Sequence, residues 1–191
     1  MKIGVALSGG GIRGIAHAGA LKAFEENGIN IDIIGGTSSG SLVAVLYAMR
    51  YTPYYIYMLF KRYAQELITV DTTPIINTVS SFITNKKNQV YGFNTGEAIE
   101  KAYNEIAQRK GIKYISDIKM PIAIPAVDVK TSKEYVFTNN KSKSRYISDI
   151  PVGTAVRASS SFPGVFCPCI YKEYTFLDGG ILDNIPVNEV K

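Results

Sequence analysis

Histidine and cysteine are almost missing from this chain, and the shortage removes whole classes of chemistry. Its 191 residues hold one histidine, His17, and two cysteines, Cys167 and Cys169. Protein zinc sites draw on clustered cysteine, histidine and carboxylate ligands at short spacings, so no metal centre is expected. The two cysteines flank Pro168, and residues two apart rarely bridge without strain, so no disulfide framework is expected either. A Ser–acid–His triad in α/β-hydrolase order needs a histidine late in the chain, and none follows His17.

Long apolar runs are also lacking. Residues 1–7 carry one charge and a short apolar stretch that meets glycines at once, too short for a secretory signal. Leu42 to Met49 falls far below the roughly 20 residues of a membrane span. Internal repeats, linkers and low-complexity segments are absent, and 46% hydrophobic residues are enough to build a core. The expectation is one domain over residues 1–191, soluble and cytoplasmic, with peripheral membrane contact or export without a signal peptide as the alternatives. The net charge of +5 favours anionic surfaces. Its basic residues are scattered apart from Lys86-Lys87 and the group Lys141, Lys143 and Arg145, and no nucleic-acid motif accompanies them. An anionic membrane surface or a lipid headgroup is the expected partner, and nucleic acid is not.

What the chain does have is glycine in pointed places. Ile33 and Ile34 run into Gly35, Gly36 and Gly40, and a helix with Leu42, Val45, Leu46 and Met49 on one face is expected at once. Gly36, Ser38 and Gly40 spell G-x-S-x-G. A nucleophile on so sharp a strand-to-helix bend needs neighbours without Cβ atoms. Ser38 would stand at a helix N-terminus, where free N–H groups favour developing negative charge. The bland alternative is an ordinary serine N-cap.

The first strand, Ile3 to Leu7, ends in Ser8-Gly9-Gly10-Gly11-Ile12-Arg13-Gly14, and a helix with Ala16, Gly19, Ala20, Ala23 and Phe24 on its inner side should follow, stopping at Gly28. Gly9, Gly11 and Gly14 fit G-x-G-x-x-G, the dinucleotide-binding pattern. That reading asks for an acid at the far end of the second strand, Ile31 to Ile34, yet Asp32 lies at its start. The alternatives are an oxyanion cradle of consecutive amides and a tight turn without a ligand. No cofactor is expected on the cradle reading.

Strand, helix, strand, helix implies a parallel sheet flanked by helices, an α/β fold. Further on, residues 51–70 are aromatic-rich and helical after Pro53, their stripe reading more readily as core than as interface. Residues 71–93 look like a surface excursion over the site. A helix is expected over Thr95–Lys110 with Ala98, Ala102 and Ile106 inward, then strands at Pro121–Val129 and Glu134–Thr138, a short helix at Pro151–Ser159 and a strand at Tyr174–Leu177. This last strand delivers Asp178-Gly179-Gly180. A carboxylate before two glycines is by default a turn former. A serine nucleophile nevertheless needs a base, and an aspartate acting alone is the economical one when histidine is so scarce.

Together the glycine loop, Gly36-Thr37-Ser38-Ser39-Gly40, Asp178-Gly179-Gly180 and the stretch from Arg157 to Phe166 resemble the patatin-like phospholipase family. The resemblance implies a three-layer α/β/α fold around a mostly parallel sheet and a metal-free lipid acyl hydrolase acting on a lipid or phospholipid. It implies Ser38 as nucleophile, Asp178 as base, and oxyanion donors among Gly9, Gly10, Gly11, Ile12, Arg13 and Gly14, with Gly36, Gly40, Gly179 and Gly180 shaping the corners. Arg13 could meet a phosphate headgroup or simply be solvated. Such proteins generally continue with another strand and helix beyond the aspartate, so the expectation is a truncated product or an unusually small member. The rival readings are a nucleotide- or anion-binding module and an idle lipid-binding scaffold.

Overall fold

The computed structural model describes residues 2–68, 94–140 and 144–191. The expected excursion over 71–93 and the basic residues Lys86, Lys87, Lys141 and Lys143 lie outside the described residues. In chain order come β1 (Gly4–Leu7), a 3-10 turn (Gly11–Ile15), α1 (Ala16–Glu26), β2 (Ile33–Gly36), α2 (Ser39–Ala48), α3 (Pro53–Ile68) and α4 (Glu97–Gln108). There follow β3 (Ile122–Asp128), β4 (Lys133–Thr138), β5 (Tyr146–Ile147), α5 (Val152–Ser159), β6 (Cys169–Tyr171) and β7 (Tyr174–Asp178). The fold is α/β as expected, a mixed sheet with flanking helices.

β1, β2 and β3 lie side by side in parallel, with Leu7 opposite Gly36 and Ile34 opposite Ile122. On its other edge β3 pairs antiparallel with β4 from Ala123 to Asp128. β7 joins antiparallel to β3 at Ala126 to Asp128, on the edge that β2 occupies at Ile122 and Ala123. β2 and β7 therefore share one lane of the sheet and run toward each other, and the gap between their ends falls opposite Ile124 and Pro125.

Pro125 suits that gap. The Val136 N–H donates to the Arg145 carbonyl on the β5 side at 3.0 Å, so the Pro125–Val136 pair is of the non-hydrogen-bonded kind. The nitrogen of Pro125 then faces the place where no strand asks for its missing N–H.

α2 is buried on nearly every side, from Ser39 through Ala48, with Leu42 the one partly exposed member. The expected single apolar face was too narrow, because sheet, α1, α3 and α5 all pack around this helix. The inner faces expected for α1 and α4 are corrected too. α1 buries Ala18 and Leu21 and leaves Ala16, Gly19, Ala20 and Ala23 exposed. α4 buries Tyr103, Ile106 and Ala107 while Ala98 is exposed. Burying a leucine or tyrosine removes far more apolar area from water than burying alanines, so the larger side chains set each helix's rotation. On α3 the aromatic stripe divides: Ile56 and Phe60 enter the core, while Tyr54, Tyr57 and Met58 remain outside.

Candidate active site

Ser38 follows the carboxyl end of β2 and caps α2 with φ 53° and ψ −123°. That is a costly conformation for a residue with a Cβ, held only where the surroundings over-determine it. Several contacts do so. The Ser38 N–H donates to the Ser159 hydroxyl at 3.1 Å, and its carbonyl accepts the Ser41 hydroxyl at 2.6 Å and the Ser41 N–H at 2.9 Å. A Cβ on Gly36 would collide with the Gly40 carbonyl, and one on Gly40 with the Leu7 carbonyl. The two flanking glycines thus let the bend close and let α2 sit directly on β1.

Asp178 ends β7 across the gap and is 1% exposed. Its N–H donates to the Ser161 carbonyl at 3.0 Å, and a Cβ on the next residue, Gly179, would collide with the Pro125 carbonyl. The turn is therefore pressed into the gap of the sheet. Asp178 Oδ1 accepts the Gly180 N–H at 2.7 Å, while Oδ2 is buried without a formed hydrogen bond. Burial pushes this carboxyl above its ordinary value, against the opposing pull of the Ser38 hydroxyl and the Gly180 amide. The Ser38 hydroxyl is near enough to favour the charged form, although no full hydrogen bond joins it to the carboxylate.

The other buried aspartate among the described residues shows what a purely structural one looks like. Asp128 is likewise opposed by burial, but Oδ1 accepts the Thr175 N–H at 3.0 Å and Oδ2 accepts the Thr131 N–H at 3.0 Å and hydroxyl at 2.8 Å. These bonds outweigh burial and hold its carboxyl below the usual value. Both oxygens of Asp128 are bonded; Asp178 keeps one oxygen without a partner.

The glycine loop divides by what its amides do. Gly9 N–H donates to the Asn184 carbonyl at 3.2 Å and Arg13 N–H to the Gly10 carbonyl at 3.3 Å. Among the described residues, the amides of Gly10, Gly11 and Ile12 engage no acceptor. Gly14 is buried where a Cβ would stand 2.6 Å from the Ser39 hydroxyl, so its missing side chain serves close packing. Ile12, Arg13 and Gly14 lie in the 3-10 turn, and the Arg13 side chain is exposed, its Nε 3.5 Å from the Gly10 carbonyl.

His17 lies apart from this chemistry, its Nε2 donating to the Ser8 carbonyl at 2.9 Å. It anchors the start of the loop. Asp32, the acid that a dinucleotide reading would require, sits at the opposite end of β2 with Oδ2 accepting the Ile3 N–H at 2.7 Å. Among the described residues no group of three metal-ligating side chains converges.

Sequence reasoning missed two contributors. Ser159 was inside a recognised stretch, but nothing in its local pattern shows that its hydroxyl meets an amide 121 residues away. α5 is held in place for this by α4: Glu100 accepts from Thr154 at 2.6 Å and from Arg157 at 2.8 Å, and Asn104 accepts the Gly153 N–H at 2.8 Å. Asn184, whose carbonyl meets Gly9, carried no signal beyond its nearness to Asp178.

The comparisons agree with this architecture. Among solved structures, VipD from Legionella pneumophila superimposes with a TM-score of 0.65 at 14% identity, over 97% of this chain and 47% of that one. ExoU of Pseudomonas aeruginosa, in its heterodimeric complex with SpcU, gives a TM-score of 0.56 at 22% identity, over 100% of this chain and 40% of that one. Identities this low speak for the fold alone. The lysophospholipase NTE1 of Candida albicans is 36% identical over 191 residues, which are 99% of this chain and 12% of that protein. This chain thus spans about 12% of the length of that relative. The model of the patatin-like phospholipase family matches residues 5–191, and the chain belongs to that family.

Proposed function

We propose that this chain is a lipid acyl hydrolase in which Ser38 attacks an ester carbonyl and Asp178 takes its proton. The observation that carries the reading is the pairing of a strained serine with a buried carboxylate that has one oxygen without a hydrogen bond and feels the serine hydroxyl. As the hydroxyl adds to the carbonyl, its proton passes to Asp178 Oδ2 and the carbonyl oxygen becomes an oxyanion. The unengaged amides of Gly10, Gly11 and Ile12 are the donors for that charge, and each donor of this kind contributes on the order of a hundredfold in rate. Collapse of the intermediate returns the proton to the leaving alcohol and leaves an acyl-Ser38. Water activated by the same carboxylate then releases the fatty acid.

The name of the Candida albicans relative supports a lysophospholipid or phospholipid as substrate. The surroundings of the loop fit a lipid. A Cβ on Gly14 would stand 3.4 Å from the Phe60 ring, so α3 lies beside the 3-10 turn. Its outer face carries Tyr54, Tyr57 and Met58 with the exposed Lys61 and Arg62, and Ile12 is exposed on the turn itself. Aromatic and basic side chains together suit the interface of an anionic bilayer, and Arg13 is available to a phosphate. Peripheral membrane contact through this face is part of the proposal.

The test is a fluorophosphonate, which is attacked only by an activated serine, with the modified residue mapped and lysophospholipid hydrolysis measured in parallel. Labelling at Ser38, lost in Ser38→Ala together with hydrolysis, is the expected result. Labelling at Ser39, Ser41 or Ser160 with Ser38 untouched refutes the assignment. Absence of labelling together with a retained nucleotide would favour the binding-module reading.

A further inference from the structure

Beyond Asp178 the chain crosses back over the site, and two consecutive residues of that crossing touch all three motifs. The Asp183 carbonyl accepts the hydroxyl of Thr37, the neighbour of Ser38, at 2.9 Å. Asp183 N–H donates to the Gly179 carbonyl at 2.9 Å, tying the same residue to the aspartate turn. The Asn184 carbonyl accepts the Gly9 N–H at 3.2 Å, which fixes the start of the glycine loop.

The Asn184 side chain lies beside two of the glycines. Neither Gly9 nor Gly180 has a positive φ, so backbone freedom does not account for them. A Cβ on Gly9 would stand 2.5 Å from Asn184 Oδ1 and 3.1 Å from Ser38 Cβ, and a Cβ on Gly180 would stand 3.1 Å from the same Oδ1 and 3.0 Å from Asp178 Oδ1. Asn184 is itself exposed, and its side-chain oxygen stands in the notch between the glycine loop and the aspartate turn, close to Ser38. A Cβ at either glycine would press on that oxygen and turn the exposed side chain out of the notch.

Building on the hydrolase reading, we propose that Asn184 is a positioning residue of the Ser38 site. Its carbonyl and side-chain amide hold the glycine loop at its working distance from Ser38 and from the Asp178 turn. Amides that receive an oxyanion act only while aimed at it, and a displacement of about 1 Å can cost on the order of a hundredfold in rate. The side chain itself transfers no proton and makes no bond to substrate.

The experiment compares Asn184→Ala, Asn184→Asp, Gly9→Ala and the double variant Gly9→Ala/Asn184→Ala, each checked for folding by circular dichroism and for active sites by fluorophosphonate titration. Asn184→Ala should lower kcat per labelled site by about ten- to a hundredfold with KM changed less than about twofold, because aim is lost while lipid binding is kept. Both variants keep the backbone carbonyl, but Asn184→Asp also keeps a side-chain oxygen of the same size and place, so it should recover most of that loss at alkaline pH. Its added charge beside Asp178 should move the acid limb of the pH profile upward. Gly9→Ala should cost less in the Asn184→Ala background than alone, since the clash partner is gone. The proposal is overturned if folded Asn184→Ala keeps kcat per labelled site within about twofold, or if Gly9→Ala costs the same in both backgrounds. Failure of the unaltered chain to label at Ser38 would overturn the hydrolase reading, and this inference with it.

Discussion

Asp178→Asn should separate what this fold needs for stability from what it needs for chemistry. The asparagine keeps the shape and one carbonyl oxygen, so Oδ1 still accepts the Gly180 N–H that it now accepts at 2.7 Å. What changes is the other oxygen, which is buried without a formed hydrogen bond. Replacing it by NH2 removes the proposed base. General base catalysis is worth about a hundred- to ten-thousandfold, so turnover should fall roughly a thousandfold, about 4 kcal/mol of barrier. Stability should move the other way. Burial raises the Asp178 carboxyl above its value in the unfolded chain, so at neutral pH the native protein carries a charge that folding disfavours. The native chain regains that stability as pH falls through the raised pKa and the folded carboxyl protonates, whereas the asparagine variant never carried the charge. Thermal melts at pH 7.5 and again on the acid side should therefore show Asp178→Asn the more stable of the two at the higher pH, with the difference closing on acidification. The same raised pKa places the acid limb of wild-type activity above the ordinary carboxylate range. A variant that melts lower at pH 7.5, or that keeps activity within tenfold, would refute the assignment of Asp178 as an unsatisfied, functional base.

Two further outcomes follow from the same geometry. His17→Ala removes the Nε2 donor to the Ser8 carbonyl and should cost about 1 kcal/mol of stability and at most about tenfold in turnover, with the pH profile unmoved; an essential His17 beside a dispensable Asp178, measured in folded proteins, would overturn the assignment. Hydrolysis should be faster on anionic than on neutral vesicles and fall with salt, and Lys61→Glu on the exposed face of α3 should weaken vesicle binding by fivefold or more, at roughly 1 kcal/mol per surface charge; equal, salt-insensitive rates would remove that face from membrane contact.

Elements made by neighbours in sequence were legible. β1 and β2, the corner after β2 and the helix behind it announce themselves through glycines at fixed offsets. β3 reads as a continuous apolar run because it is buried on both faces. Helix rotation was not legible, since a pattern of apolar positions counts Ala20 and Leu21 alike while the folded chain weighs them by area. Leu21 and Tyr103, both almost wholly buried, decide which side of α1 and of α4 turns inward. β5 and β6, at two and three residues, are too short to show alternation.

The candidate site could be named from the sequence as a set of residues but not as a place. Ser38 and Asp178 meet because two strands enter one lane of the sheet from opposite ends, and no local pattern records that β2 and β7 share an edge of β3. One trace of it does lie in the sequence. A proline within a buried apolar run argues against a central strand, because one edge would lose its donor. Pro125 nevertheless stands inside β3 with strands on both sides. The contradiction resolves only if a neighbouring strand is interrupted at that point. Pro125 therefore marks the break in the lane, and the space left by the break is what lets a carboxylate on one strand end reach a hydroxyl on the other.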